Sequence, residues 1–294
     1  MTKKRALNPT HVKKAIVEIK KMRPAYASLL DFYEKIFLAQ EDSKSRVMID
    51  SIQIPSDILA IKTREKFPLI NISEFIVDTN ASEILLKKIC DIAAVTKGYM
   101  ATNARVIRDA IDTEKLDAAL LFHSLLEEDD IFFESVADDL EIEKKMLAFV
   151  TYSSIIPSIS LCVRHLSTYL DQEQTWEKGY CPICGSPPVL SMLADEGQRF
   201  LFCSFCWHKW PARRVYCPFC DSVDGKTLHY FFSEEEKDYR VDLCDKCHKY
   251  IKTVDTRETK RYFYPPLEQV ATLHLDIKAR DMGYESGVQL ALET

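Results

Sequence analysis

Four Cys-x-x-Cys pairs, Cys181/Cys184, Cys203/Cys206, Cys217/Cys220 and Cys244/Cys247, constrain this chain more than any other feature. Two intervening residues let both sulfurs of a tight turn face one ion, while amides of the turn point at the thiolates and offset their charge. One pair alone is a weak signal. Taken in order, 18 residues separate the first two pairs and 23 the last two, so two C-x2-C…C-x2-C units follow one another. The expected sites are Cys181, Cys184, Cys203 and Cys206 around one ion and Cys217, Cys220, Cys244 and Cys247 around a second. Four sulfurs suit zinc or iron in a tetrahedral site. A set closed by protein ligands leaves no position for water or substrate, so both sites read as structural and not catalytic. His208 and His248, close behind Cys206 and Cys247, are the alternative ligands, but four sulfurs already complete each tetrahedron. Cys90 and Cys162 lie on apolar helical faces, as does His165, and read as core.

Composition narrows the class. The 294 residues contain seven glycines, and Gly98 is the one that precedes Gly179, which removes a Walker loop or a G-x-G-x-x-G turn. A formal charge of -6 argues against a dedicated nucleic-acid binder. Lys3, Lys4 and Arg5 are followed by no apolar h-region, and the apolar stretch 146–163 carries Thr151, Ser153, Ser154, Pro157, Ser158 and Ser160. It reads as a buried helix pair with no membrane segment. The expected compartment is the cytoplasm, where thiols stay reduced and paired cysteines mean metal more often than disulfide.

From Asn8 to about Leu170 the pattern is helical. Asn8-Pro9 is a helix start, followed by Val12, Ala15, Ile16 and Ile19 at helical spacing. Ala25–Leu38 and Lys115–Leu126 read likewise. Asn80 with Glu83 resembles a capping box, with Gly98 as a C-cap beyond it. Phe67-Pro68-Leu69-Ile70-Asn71-Ile72 reads as an extended connector, and Glu127-Glu128-Asp129-Asp130 as a solvated helix end. After Trp176 short aromatic and β-branched runs alternate with the cysteines, as hairpins around metal do. The tail returns to helix after Tyr264-Pro265-Pro266 and closes near Gly283.

The fold class is therefore α+β: a helical domain over 1–176, two consecutive rubredoxin-like or zinc-ribbon modules over 177–214 and 215–262, and a C-terminal helix over 263–294 packed back on the chain. Arg199, Lys209, Arg213 and Arg214, with Trp207, His208 and Trp210 among them, form a basic aromatic stretch. It reads as an exposed face for docking a protein, with nucleic acid as the disfavoured rival.

These motifs resemble the FdhE family, accessory proteins of formate dehydrogenase. The resemblance is carried by Cys181-Pro-Ile-Cys184-Gly-Ser-Pro187, by Gly197-Gln-Arg-Phe-Leu-Phe-Cys203-Ser-Phe-Cys206 with Trp210 and Arg213, by Cys217-Pro-Phe-Cys220, by Cys244-Asp-Lys-Cys247-His-Lys-Tyr250-Ile-Lys252, and by a tail from Val270 to Tyr284. Toward the N-terminus it is general, with a Pro-Leu connector at Pro68-Leu69. Glycine often follows the last cysteine of a knuckle in the family; Gly185 keeps it, while Asp221 and His248 replace it with residues that tolerate positive φ. The resemblance implies a cytoplasmic maturation factor that binds the catalytic subunit of a molybdenum- or tungsten-dependent formate dehydrogenase and is not itself an enzyme. It also makes iron a real alternative to zinc. The rival functions are a nucleic-acid-binding zinc ribbon and a rubredoxin-like electron-transfer protein.

Overall fold

Apolar residues recur at helical spacing through the first half of the chain. There the computed structural model, which describes residues 9–171, 175–194, 196–234, 236–259 and 261–288, is helical. Among the described residues α1 (Pro9–Met22), α2 (Ala27–Ser43), α3 (Ser56–Glu65), α4 (Thr79–Ala94), α5 (Tyr99–Asp112), α6 (Ala118–Leu126), α7 (Asp130–Asp139) and α8 (Lys144–Leu166) precede the cysteines. α1 buries Val12, Ala15, Ile16 and Ile19, as their spacing requires; Asn8 lies outside the described residues. The start of α4 falls earlier than Asn80, because Asp78 caps it by accepting from the Ala81 amide at 3.0 Å. Gly98 caps the start of α5 with φ 72 and does not close α4. The acidic run is a helix boundary, where Asp129 accepts from the Phe132 amide at 3.0 Å and opens α7.

One 23-residue helix, α8, stands where a helix pair was expected. Pro157 lies inside it and has no N–H for the carbonyl of Ser153. Gln40 supplies the missing donor, its Nε2 reaching that carbonyl at 2.8 Å in the interior. Thr151 and Ser154 return their hydroxyls to the carbonyls of Leu147 and Thr151, both at 2.7 Å. By length and composition this helix is apolar enough to cross a membrane, yet 67% of its apolar window is buried within the protein, as in a core helix. Cys90 and Cys162 are fully buried, as expected of core thiols.

The chain divides into two compact units. Among the described residues, one holds those up to Ser51 and Ile72–Cys162; the other holds Ile52–Asn71 and those from Val163 to Val288. Helix α3 and the Pro68-Leu69 connector thus group with the cysteines, although both lie among the helices in sequence.

The second unit carries β1 (Pro188–Ala194), β2 (Gln198–Cys203), β3 (Lys209–Ala212), β4 (Leu228–Phe232), β5 (Tyr239–Cys244), β6 (Lys249–Asp255) and β7 (Glu285–Ser286). Their order is β3-β2-β1-β6-β5-β4, with β7 parallel to β6. Each four-cysteine stretch forms an antiparallel meander, and β1 and β6 then pair in parallel, Leu190 opposite Lys252 through Leu193 opposite Asp255. That seam fuses the two ribbons into one sheet. Leu190 and Met192, Tyr239, Val241 and Leu243, and Tyr250 and Val254 line one face, where they meet Leu275 and Ala279. The latter belong to a tail that is two helices, α9 (Pro265–Ala271) and α10 (Leu273–Asp281), not the single helix expected. Thr272 leaves helical geometry at φ -121 and ψ 23, and its hydroxyl donates to the Glu268 carbonyl at 2.7 Å.

Candidate metal centres

All four knuckles share one backbone solution. At Cys181 the amide donates to the Ser186 carbonyl at 2.9 Å and the Gly185 amide returns to the Cys181 carbonyl at 2.9 Å. At Cys217 the same pair of bonds uses Ser222 at 2.8 Å and Asp221 at 3.0 Å. The Cys203 amide reaches the His208 carbonyl at 3.0 Å, and the His248 amide the Cys244 carbonyl at 2.8 Å. The residue after each second cysteine has positive φ: Gly185 at 80, Trp207 at 58, Asp221 at 55 and His248 at 54. Asp221 and His248 adopt the conformation expected where glycine is missing. Trp207 joins them without a sequence signal, since a bulky residue is uncommon there.

The knuckles bring the eight sulfurs together as the spacing predicts. Cys181, Cys184, Cys203 and Cys206 form one cluster and Cys217, Cys220, Cys244 and Cys247 the other, with the sulfurs of each within 4.8 Å of one another. In the first, Cys184 lies 3.5 Å from Cys203 and 3.6 Å from Cys206, and Cys181 lies 3.7 Å from Cys206. In the second, Cys217–Cys247 is 3.6 Å and Cys220–Cys244 is 3.7 Å. Sulfur–metal bonds of about 2.3 Å give a tetrahedron with edges of about 3.8 Å. These separations fit that tetrahedron and are far from the ~2.05 Å of a disulfide. Both clusters are therefore able to hold a metal ion.

Backbone amides face the sulfurs. Ile183 donates to Cys181 at 3.4 Å, and Phe205 and Cys206 donate to Cys203 at 3.4 and 3.3 Å. Burial pushes the Cys181 and Cys206 thiols well up, whereas hydrogen bonds from Cys181, Cys203 and Cys206 hold Cys184 far below the ordinary thiol range. In the second cluster burial raises Cys217 and lifts Cys247 to about 11. At Cys220 burial pushes upward, but the Ser222 amide and the neighbouring thiols outweigh it and the thiol falls. Each cluster thus pairs a stabilised thiolate with thiols that keep their protons until a cation replaces them. His208 and His248 are not part of either cluster. Burial pulls His208 down to about 4, and its neutral ring stacks on Trp210 at 6.4 Å and 10°.

The two clusters are covered unequally. All four sulfur-bearing residues of the first are buried. The connector straps its first knuckle, Leu69 donating to the Pro182 carbonyl and Ile70 to the Ile183 carbonyl, both at 2.9 Å. A Cβ at Gly185 would lie 3.1 Å from Pro68 Cγ, so the strap lies directly on the turn. In the second cluster Cys217 and Cys244 are buried, but Cys220 and Cys247 are partly exposed.

The basic aromatic stretch is only in part the exposed face its composition suggested: Lys209, Arg213 and Arg214 are exposed, the others less so. Arg199 is 3% exposed and Trp210 1%, and His208 is buried. Strand alternation turns Arg199 to the sheet face opposite the apolar core. There its Nε donates to Ser191 Oγ at 2.9 Å, Nη1 to the Tyr216 carbonyl at 3.0 Å and Nη2 to Asp242 Oδ2 at 3.3 Å. Thr253 and Arg240 also bind Asp242, at 2.6 and 2.9 Å. This network crosses the β1–β6 seam and ends one residue before Cys217, so it locks one ribbon to the other. Sequence reasoning missed it because an arginine in a hairpin reads as a surface residue. Arg213 does reach solvent, paired with Glu177 at 3.1 Å.

A helical region followed by one sheet that joins two four-sulfur clusters defines a double metal-ribbon protein of the α+β class. Residues 180–214 match the central domain of the FdhE family and residues 215–292 its C-terminal domain. A Protein FdhE homolog from Aquifex aeolicus is 34% identical over 179 residues, covering 58% of this chain and 56% of that protein. Another from Shewanella oneidensis is 34% identical over 118 residues, covering 39% and 38%. The chain thus spans little more than half the length of the first of these relatives and less of the second. The crystal structure of the FdhE protein from Pseudomonas aeruginosa shares the fold, with a TM-score of 0.66 over 96% of this chain and 95% of that one, at 18% identity.

Proposed function

We propose that this protein is a cytoplasmic, metal-containing maturation factor that binds the catalytic subunit of a formate dehydrogenase and is not itself the formate-oxidising enzyme. One observation carries the reading: the paired four-cysteine clusters, joined through one sheet, fall in the regions that match the FdhE central and C-terminal domains. Cys181, Cys184, Cys203 and Cys206 would hold one zinc or iron ion, and Cys217, Cys220, Cys244 and Cys247 the second. A bound ion supplies structural cross-linking, and one-electron chemistry as well if it is iron. The chain's own residues position the clusters: the Leu69-Ile70 strap fixes the first, and Arg199 couples the sheet to the segment entering the second. Four sulfurs at each cluster leave no ligand position for a substrate, which supports a binding role over a hydrolytic one.

The test is capture of a formate dehydrogenase catalytic subunit by the tagged full chain, alongside its C181S/C184S variant. Loss of one ion and of capture together is expected. Unchanged capture with one ion missing would count against the metal-organised docking role. The partly exposed Cys220 and Cys247 favour rubredoxin-like electron transfer as the second reading, since an ion there lies near solvent. Ferric iron bound by sulfur colours freshly purified protein and zinc does not, so the visible spectrum separates them.

A further inference from the structure

The outer edges of the sheet are finished differently. At β3 the edge is four residues long and contains Pro211, which has no N–H to offer. The Trp176 amide donates to the Pro211 carbonyl at 2.9 Å, so the chain's own backbone covers this edge. Protection of this kind is what natural sheets use against stray pairing. At β4, where the sheet order ends among the described residues, no such device is present. Its sequence is Leu-His-Tyr-Phe-Phe, without proline, glycine or lysine, and its register against β5 is unbroken from Leu228 to Phe232.

The edge carries its own recognition surface. The Asp245 amide donates to the Thr227 carbonyl at 2.9 Å, and antiparallel alternation then turns the backbone groups of Leu228, Tyr230 and Phe232 outward. Tyr230 is 59% exposed and Phe232 44%, with stacked rings 6.2 Å apart. The same residues therefore present outward amides and carbonyls together with aromatic side chains. Around this strand, residues 221–238 hold six carboxylates against two lysines. Asp221, Asp224 and Glu234 are exposed.

We infer that β4 is a docking edge for strand addition: an extended, basic segment of the partner protein pairs with Leu228–Phe232, its apolar side chains alternating onto Tyr230 and Phe232. Charge complementarity selects the occupant, since a basic segment meets the acidic flanks and an acidic one is repelled. This inference rests on the maturation-factor reading and places the partner's contact on the second ribbon.

The test uses the full metal-loaded chain and a formate dehydrogenase catalytic subunit. Tyr230→Lys and Phe232→Lys, each adding the kind of charge that blocks edge pairing, should weaken binding about tenfold, with metal content and circular dichroism unchanged. Hydrogen–deuterium exchange keeps the test independent of the variants: the amides of Leu228, Tyr230 and Phe232 should slow when the complex forms. Equal affinity of both variants, or a complex that leaves those amides unprotected, overturns the edge alone. Protection that grows with concentration of the isolated chain overturns it in favour of a second copy. Absence of binding by the unaltered chain overturns both the edge and the maturation-factor reading.

Discussion

Removing the Arg199 side chain separates a structural arginine from a docking one. Arg199→Ala deletes three hydrogen bonds from a buried guanidinium, to Ser191, the Tyr216 carbonyl and Asp242. Hydrogen bonds involving a charged group contribute about 1.5–3 kcal/mol each, and breaking a buried ion pair costs about 3–5 kcal/mol when the partner is stranded. Asp242 is not stranded, because Arg240 and Thr253 remain at 2.9 and 2.6 Å. The expected loss is therefore about 3–4 kcal/mol, toward the lower part of the buried-pair range. Arg199→Lys should fall between, keeping the charge without the fork. Arg213→Ala is the control: Arg213 is 49% exposed and its Glu177 partner 59%, so its loss should cost less than about 0.5 kcal/mol. Urea denaturation followed by tryptophan fluorescence is suited to the comparison, since Trp176, Trp207 and Trp210 all lie in the cysteine-bearing unit. Equal costs for Arg199→Ala and Arg213→Ala, within about 1 kcal/mol, would refute the assignment of Arg199 to the ribbon seam.

Iodoacetamide mapped by mass spectrometry should modify Cys220 and Cys247 before any sulfur of the first cluster, because those two are partly exposed; early labelling of Cys184 would contradict the described cover. Metal loading should release protons, since burial keeps the Cys181, Cys206 and Cys217 thiols protonated in the ion-free chain, so affinity should rise with pH through the neutral range. A dye-monitored titration that shows no proton release would exclude this. Asp221→Gly should stabilise the second cluster by about 0.5–1 kcal/mol by removing a side chain from positive φ, while Gly185→Ala should destabilise the first by about 1–2 kcal/mol. Thermal melts that rank the two variants in the opposite order would show that the knuckle backbone is not the source of the strain.

The cluster membership was legible because C-x2-C spacing is local: two residues fix a turn, and the intervals of 18 and 23 residues pair the turns. The positive φ at Asp221 and His248 was legible through the family resemblance, in which glycine often takes these positions. What escaped was long-range. Parallel pairing of β1 with β6 joins segments with no shared turn, so nothing local announces it. Burial of Arg199 depends on that seam, whereas Trp210 on the edge strand lies among Leu69, Pro182 and His208; composition alone placed both on a surface. The Pro68-Leu69-Ile70 segment was readable as extended, but its bonds to Pro182 and Ile183 depend on a fold that returns it to the first knuckle. Thr272 broke the tail helix without proline or glycine, through a backbone change that no breaker residue marks.

Native mass spectrometry of the freshly purified full chain, beside its C181S/C184S and C217S/C220S variants, decides whether the eight cysteines hold two ions. Two ions per unaltered chain and one in each variant are expected, with the ion retained by the intact cluster. A chain that purifies folded without metal, or variants that keep both ions, would contradict this expectation.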